Sequence, residues 1–182
     1  LALLASMVQP AMAAVSAEEA AKLGNELTPF GGEKAGNAQG SIPAWTGGYQ
    51  GPADSGGRRS DPFKDEKPLY TVTAQNMDQY AEQLTDGVKA MLKKYPDTYR
   101  LNVYPTHRTA SAPDWVYKNT AENAVRGELD GSIAKNVYGG IPFPIPKNGE
   151  EAIWNHKLAW RGSSWQLALN QYQITGEGKQ IL

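Results

Sequence analysis

The sequence has no cysteine among its 182 residues. This absence excludes disulfide bonds, thiolate metal sites and thiol catalysis, and it removes the residue that carries the lipid of a bacterial lipoprotein. An excess of charge of one sign is also missing, because 18 basic and 19 acidic residues give a formal net charge of −1. Nucleic-acid-binding proteins usually carry a basic patch. We therefore expect no nucleic-acid partner.

Long apolar runs are scarce, and the run at residues 1–8 has about half of the ~20 residues that a membrane span needs. Two small residues, Ala11 and Ala13, follow it at the spacing that signal peptidase accepts. We interpret residues 1–13 as the remnant of a signal peptide that is cleaved after Ala13, with a buried N-terminal helix as the alternative. Since neither a methionine nor a basic segment precedes the run, we expect the natural chain to begin earlier. The predicted location is the periplasm, either free or held peripherally at the outer membrane, with no transmembrane span.

Motifs of catalysis and metal binding are also missing. The two histidines, His107 and His156, have no acidic residue at ligand spacing, whereas a zinc site needs three or four ligands. Adjacent acids such as Glu150 and Glu151 point apart on a helix and do not form the facing carboxylates of a glycosidase. The chain has no phosphate-binding loop and no serine nucleophile elbow. We predict no metal, no cofactor and no catalytic residue, and hence no enzyme.

Glycine and proline are plentiful, with 19 and 12 residues, and they concentrate between residues 28 and 61. Such a density disfavours helices and strands, because glycine raises the entropy cost of ordering and proline removes a donor. A tryptophan in this stretch, Trp45, would be a poor choice for a merely flexible linker. We predict an extended arm that is pinned by Trp45 and preceded by a short helix, whose capping box is formed by Ser16 and Glu19.

The rest of the chain alternates helical and strand patterns. Apolar spacings of three and four predict a helical region with a break at Asp86 and Gly87. A further helix is expected from Pro113 towards Leu129, with its exit at Asp130. The other predicted elements are short strands near 69–72 and 101–104, a proline-rich sheet edge or polyproline path over 139–146, a helix over 150–158, a long bulged strand over 165–174, a hairpin turn at 176–179 and a next strand from 180.

These patterns predict an α+β fold. Residues 14–68 would form the short helix and the arm, and residues 69–182 would form helices followed by the start of a curved antiparallel sheet, an incomplete half-barrel. Because a lone hairpin is not stable in water, we expect the sheet to continue beyond the last strand. The five tryptophans are either packing residues, which we favour, or exposed platforms for sugars.

Several irregular motifs resemble a proteobacterial family of unknown function whose members are commonly labelled outer-membrane lipoprotein-sorting-like. They are the segments at residues 33–37, 42–48, 139–146, 148–149 and 152–156. The resemblance implies a fold similar to the periplasmic lipoprotein carrier and its outer-membrane receptor, in which helices cover the concave side of an open sheet that holds acyl chains. It implies no catalytic residues.

The leading functional hypothesis is a non-catalytic periplasmic protein that binds or shuttles a lipid or another hydrophobic ligand. Its ligand-binding lining would begin with Trp165, Leu167 and Leu169, which alternate with small or polar residues. The alternative is a structural or adaptor protein whose arm docks onto an envelope export assembly. A third hypothesis, a polysaccharide-active enzyme, requires facing carboxylates beyond this chain.

Overall fold

The computed structural model describes residues 14–51, 61–164 and 167–182. The described chain forms two compact units. The first unit contains residues 14–25, 29–32 and 112 onward, and the second contains residues 26–28 and 33–111. Within the described part, no helix has the length and apolar character needed to cross a membrane. The predicted cleavage-site residues, Ala11 and Ala13, lie outside the described residues.

Short helices and three separate two-stranded antiparallel sheets make up the described fold. The helices are α1 Ala17–Ala20, a 3₁₀ helix Met77–Gln83, α2 Asp86–Lys94, α3 Asp114–Arg126 and α4 Gly149–Lys157. The strands are β1 Tyr70–Val72, β2 Leu101–Val103, β3 Glu128–Asp130, β4 Ile133–Lys135, β5 Gln173–Ile174 and β6 Gln180–Ile181. Strands pair as β1 with β2, β3 with β4, and β5 with β6. The predicted α+β class with incomplete antiparallel sheets is confirmed.

The second unit has its core at the β1–β2 sheet. Val72, Met77 and Leu92 are buried together, and the tyrosines and aliphatic residues of the surrounding elements pack against them. The helical region is interrupted, but earlier than at the predicted Asp86 and Gly87: the 3₁₀ helix ends at Gln83, and Asp86 and Gly87 are the first two residues of the next helix. The Thr85 hydroxyl accepts one of the free backbone N–H groups in the first turn of α2, that of Val88, at 3.4 Å.

Within the second unit, the side chains of Trp45 and Arg108 attach the glycine- and proline-rich arm to the segment at residues 108–110. The indole Nε1 of Trp45 donates to the carbonyl oxygen of Ala110 at 2.9 Å, as expected for a pinned arm. From the neighbouring segment, the Arg108 guanidinium donates to four arm carbonyls within 3.3 Å, those of Glu33, Lys34, Ala35 and Pro43. A guanidinium has five donors in a fixed plane, so it can hold a loop that lacks regular structure.

The first unit is built around α3. The predicted capping box of α1 is present, since the Glu19 N–H group donates to the Ser16 hydroxyl and the Ser16 N–H group donates to the Glu19 carboxylate. Residue Val15 is buried, and its N–H group donates to the carbonyl oxygen of Ala124 at 3.0 Å. This contact attaches the four-residue helix α1, which is too short to be stable by itself.

The exit of α3 differs from the prediction. The helix ends at Arg126, not near Leu129, and the chain then forms the β3–β4 hairpin with Asp130 before its turn. Gly131 adopts a φ of +58° in this turn. The two turn residues are Gly131 and Ser132, and glycine is favoured at the first of them because it adopts a positive φ without strain. The prediction of a continued helix was wrong because this turn signal outweighs the remaining helical pattern.

Two extended segments also differ from the prediction. Residues 139–146 form neither a strand nor a sheet edge, and Ile141, Pro142, Phe143 and Pro144 are all buried within the first unit. Side chains of α3 and α4, not a neighbouring strand, supply their hydrogen bonds. The long strand predicted over 165–174 is limited to β5, whereas the hairpin turn and β6 are confirmed.

Candidate functional site

The C-terminal segment carries the predicted ligand-binding residues. Trp165 lies outside the described residues, while Leu167 and Leu169 are 57% and 75% exposed and belong to no strand. The following apolar residues Tyr172, Ile174 and Ile181 are also about half exposed or more. The described segment therefore presents a row of apolar side chains to solvent.

A cleft with a volume of about 400 Å³ lies elsewhere in the first unit, beside the C-terminal end of α4. This α4 cleft has apolar walls and a cationic rim. The walls are formed by Val137, Pro142, Leu158 and Trp160, and the rim by Lys157 and Arg161. Cavities of this size hold small organic molecules. The cleft could not be predicted from the sequence, because residues 159–162 follow no helical or strand periodicity.

Aromatic packing fixes the position of Trp160. Its ring meets the ring of Trp115 edge to face, with centroids 5.0 Å apart and planes at 88°. Edge-to-face pairs are favoured by the ring quadrupole. Trp160 is half-buried and Trp115 is 46% exposed, so the pair packs against the protein on one side and meets solvent on the other. The expected packing role is seen in this pair, and the alternative of a platform for sugars stays a prediction.

Buried hydrogen bonds hold the floor of the α4 cleft. The side chain of Asn123 is fully buried, and its amide donates to the carbonyl oxygens of Tyr138 and Ile141 at 3.2 and 3.1 Å. The buried hydroxyl of Thr120 accepts the N–H group of Ile141 at 3.0 Å and donates to the carbonyl oxygen of Val116. These side chains supply hydrogen bonds to the backbone of a loop segment that forms no β-ladder.

Two residues of α4 complete this support. The side chain of Asn155 accepts the N–H group of Phe143 at 2.8 Å and donates to the carbonyl oxygen of the same residue at 2.6 Å. Glu151 is only 2% exposed, and its carboxylate accepts the N–H group of Lys147 at 2.6 Å and the amide of Asn148 at 3.3 Å. These hydrogen bonds give the buried carboxylate a structural role at the N-terminus of α4.

Glycine is required where the floor meets α3. A Cβ atom added to Gly140 would lie 2.5 Å from the Thr120 hydroxyl and 2.7 Å from the backbone nitrogen of the same residue. Gly139 has a φ of +60°, and its Cβ would approach the amide of Asn119 to 2.9 Å. The two glycines thus let the loop lie directly against the helix.

In the second unit, the imidazole of His107 lies within hydrogen-bond distance of the Glu66 carboxylate. The two carboxylate oxygens lie 2.9 and 3.1 Å from Nε2, and the ring of Phe63 stacks on the imidazole with centroids 3.8 Å apart. A cleft of about 360 Å³, bordered by Tyr49 and Arg108 among others, adjoins this group. The sequence analysis missed the pairing, because 41 residues separate the partners.

The other histidine, His156, lies exposed near the end of α4. Among the described residues, no three side chains of histidine or acidic type come together as metal ligands do. In the same part of the chain, every fully buried side-chain nitrogen or oxygen atom has a hydrogen-bond partner. The buried polar groups are therefore engaged in holding the fold.

In the β3–β4 hairpin, the pKa values of one exposed pair, Asp130 and Lys135, are shifted. The hydrogen bond and the charge of Lys135 lower the pKa of the Asp130 carboxyl, and Asp130 raises the pKa of Lys135 for the same reasons. The residues lie on paired strands and form an ion pair. Because both groups are exposed, this ion pair has only a small effect on the stability of the hairpin, and we do not interpret it as a reactive site.

The described residues form an α+β fold, and comparison with known proteins places the chain in a family. Residues 71–182 match the model of a family described as a protein of unknown function, DUF1329. The chain is 52% identical over 176 residues to the uncharacterized protein PA3922 of Pseudomonas aeruginosa. The chain therefore belongs to this proteobacterial family of unknown function.

The match covers 94% of this chain but 38% of the Pseudomonas protein, so the chain spans well under half the length of that relative. No solved structure matches the chain. The predicted membership in a family of unknown function is confirmed.

Proposed function

We propose that the protein is a non-catalytic periplasmic protein that binds or shuttles a lipid or another hydrophobic ligand. The observation that supports this function best is the row of exposed apolar side chains that begins at Leu167 and Leu169. Contiguous exposed apolar residues usually mark a surface that receives a ligand or partner. The motifs at residues 42–48 and 139–146 resemble a family labelled lipoprotein-sorting-like, and this resemblance favours a surface that takes acyl chains.

The binding free energy that this row can supply depends on the apolar surface area that a ligand would cover. Full burial of a leucine side chain stabilises a complex by about 1.5–3 kcal/mol. Leu167 and Leu169 are more than half exposed, so the two residues together supply about 2–4 kcal/mol when an acyl chain covers them. This is equivalent to a change of about thirtyfold to several hundredfold in affinity.

The test uses the full-length protein and an apolar fluorescent probe such as N-phenylnaphthylamine. We expect the double variant Leu167→Asp and Leu169→Asp to lose most of the probe binding. The matched control is Leu69→Asp, since Leu69 is a comparably exposed leucine, at 65%, in the second unit. Equal probe binding by the wild-type protein and the double variant contradicts the proposal.

A second candidate function is supported by the arm. Ile42 and Tyr49 are 45% and 41% exposed, although Arg108 and Trp45 hold the surrounding chain in place. An ordered arm that exposes apolar groups suits an adaptor that docks onto an envelope export assembly. Deletion of residues 42–48 would then abolish the pull-down of such an assembly while leaving probe binding unchanged. Retained pull-down contradicts the adaptor role.

A further inference from the structure

The charge at the α4 cleft is unbalanced. Two of its described lining residues, Lys157 and Arg161, are cationic, and none is acidic. The whole sequence, by contrast, has nearly equal numbers of basic and acidic residues. Within the described part of the chain, neither cation takes part in an ion pair. The rim of the cleft is therefore complementary to an anion.

One of the two cations has a structural explanation and the other does not. Lys157 is the last residue of α4, where a positive charge stabilises the helix dipole, and its ammonium group lies 5.0 Å from the centre of the Trp154 ring. Arg161 lies four residues beyond the helix, is exposed, and borders the cleft. The dipole falls off within the last turn, so it does not account for Arg161.

The walls below this rim are apolar. Leu158 is 47% exposed and Trp160 is half-buried, and both line the cleft together with the fully buried Pro142. A carbon chain in contact with these walls would exclude water from them. The floor is held by the buried Asn123 and Thr120, so the cleft is formed before any ligand arrives.

From this combination we infer that the α4 cleft binds an anionic phospholipid, with the phosphate at Lys157 and Arg161 and the start of an acyl chain against Leu158 and Trp160. The inference rests on the proposed function for the lipid character of the ligand and adds a separate site, because Leu167 and Leu169 do not line the α4 cleft. Arginine binds phosphate oxygens through paired N–H groups, and lysine adds a point charge. The apolar walls favour a lipid phosphate over inorganic phosphate, which has no chain to bury.

The experiment measures binding of short-chain phosphatidylglycerol and short-chain phosphatidylcholine to the full-length protein by calorimetry below their micelle concentrations. We expect phosphatidylglycerol to bind at least about tenfold more tightly, because both lipids carry the phosphate but the cationic choline of phosphatidylcholine cancels its charge and is repelled by Lys157 and Arg161. The double variant Lys157→Gln and Arg161→Gln should lose this preference. Raised salt should reduce it in the wild-type protein, because the rim is exposed.

A charge-matched control separates the cleft from the net charge of the protein. Lys93 and Lys94 are exposed in the last turn of α2 in the second unit, and their double replacement by glutamine removes the same charge. This control should keep the preference for phosphatidylglycerol. A retained preference in the cleft variant, or a lost one in the control, overturns the inference.

Two further results bear on the inference. Equal binding of both phospholipids overturns the anionic specificity but leaves the proposed hydrophobic-ligand function standing, since that function is tested by the probe and the Leu167 and Leu169 variants. Binding of inorganic phosphate as tightly as phosphatidylglycerol overturns the lipid assignment, because the apolar walls would then contribute nothing.

Discussion

Replacement of Asn123 by alanine tests how the irregular loop of the first unit is held. The side-chain amide donates to Tyr138 and Ile141, and its oxygen accepts the N–H group of Tyr138 at 3.1 Å and the guanidinium of Arg126 at 2.8 Å. Tyr138 is 61% exposed and can exchange these partners for water, whereas the carbonyl of Ile141 loses a buried donor. An unsatisfied buried group costs about 1–3 kcal/mol.

A small cavity adds to this cost, so we expect Asn123→Ala to destabilise the loop by about 2–4 kcal/mol. Asn119→Ala is the matched control, because Asn119 lies one turn earlier on α3 and its amide bonds only the exposed carbonyl of Trp115. The two variants gain the same helix propensity, and the control should change stability by about 0.5 kcal/mol or less.

Hydrogen exchange in the full-length protein measures the effect locally. The amides of residues 137–146 should exchange at least about thirtyfold faster in Asn123→Ala, which is equivalent to about 2 kcal/mol of easier opening. The amides of the β1–β2 sheet in the second unit should be unaffected. Equal exchange in the two variants would refute the conclusion that Asn123 holds this loop.

Three further outcomes follow from particular contacts. Arg108→Ala should make proteinase K cleave the arm between residues 33 and 43 several times faster, because the guanidinium no longer bonds the arm carbonyls; unchanged cleavage argues against this role. Gly140→Ala should greatly lower the thermal stability, since its Cβ would lie 2.5 Å from a side-chain oxygen of α3, whereas Gly87→Ala, with nothing within 4 Å, should be neutral or slightly stabilising. Lys135→Gln should raise the pKa of Asp130 in an NMR titration; because a lowered carboxyl pKa means weaker proton binding in the folded state, this pair stabilises the hairpin at neutral pH and loses its effect as the pH falls.

Local signals in the sequence predicted several elements well. The capping box at Ser16 and Glu19, the interruption before α2 and the β5–β6 hairpin each depend on a few neighbouring residues, whose chemistry favours one conformation. The contact of Trp45 was also expected, since a large side chain in a glycine-rich stretch needs a packing partner. Its acceptor, Ala110, was beyond prediction because it lies 65 residues away.

Failures of prediction occurred where distant side chains replace regular backbone pairing. Proline at alternate positions of residues 139–146 indicated a sheet edge or a polyproline path; the sheet edge is not formed, and Thr120, Asn123 and Asn155 supply hydrogen bonds to the segment. The α4 cleft shares this origin, since its floor is the same segment and its rim is an aperiodic loop. Long-range polar contacts of this kind leave no periodic pattern in a sequence.

The ligand carried by the full-length protein is the most direct test of the central claim. Native mass spectrometry of protein purified from the periplasm, followed by solvent extraction, would identify any bound molecule. The account predicts a lipid or another hydrophobic molecule in stoichiometric amount, reduced in the double variant Leu167→Asp and Leu169→Asp. A full-length protein that carries no such molecule and binds no apolar probe would contradict the account.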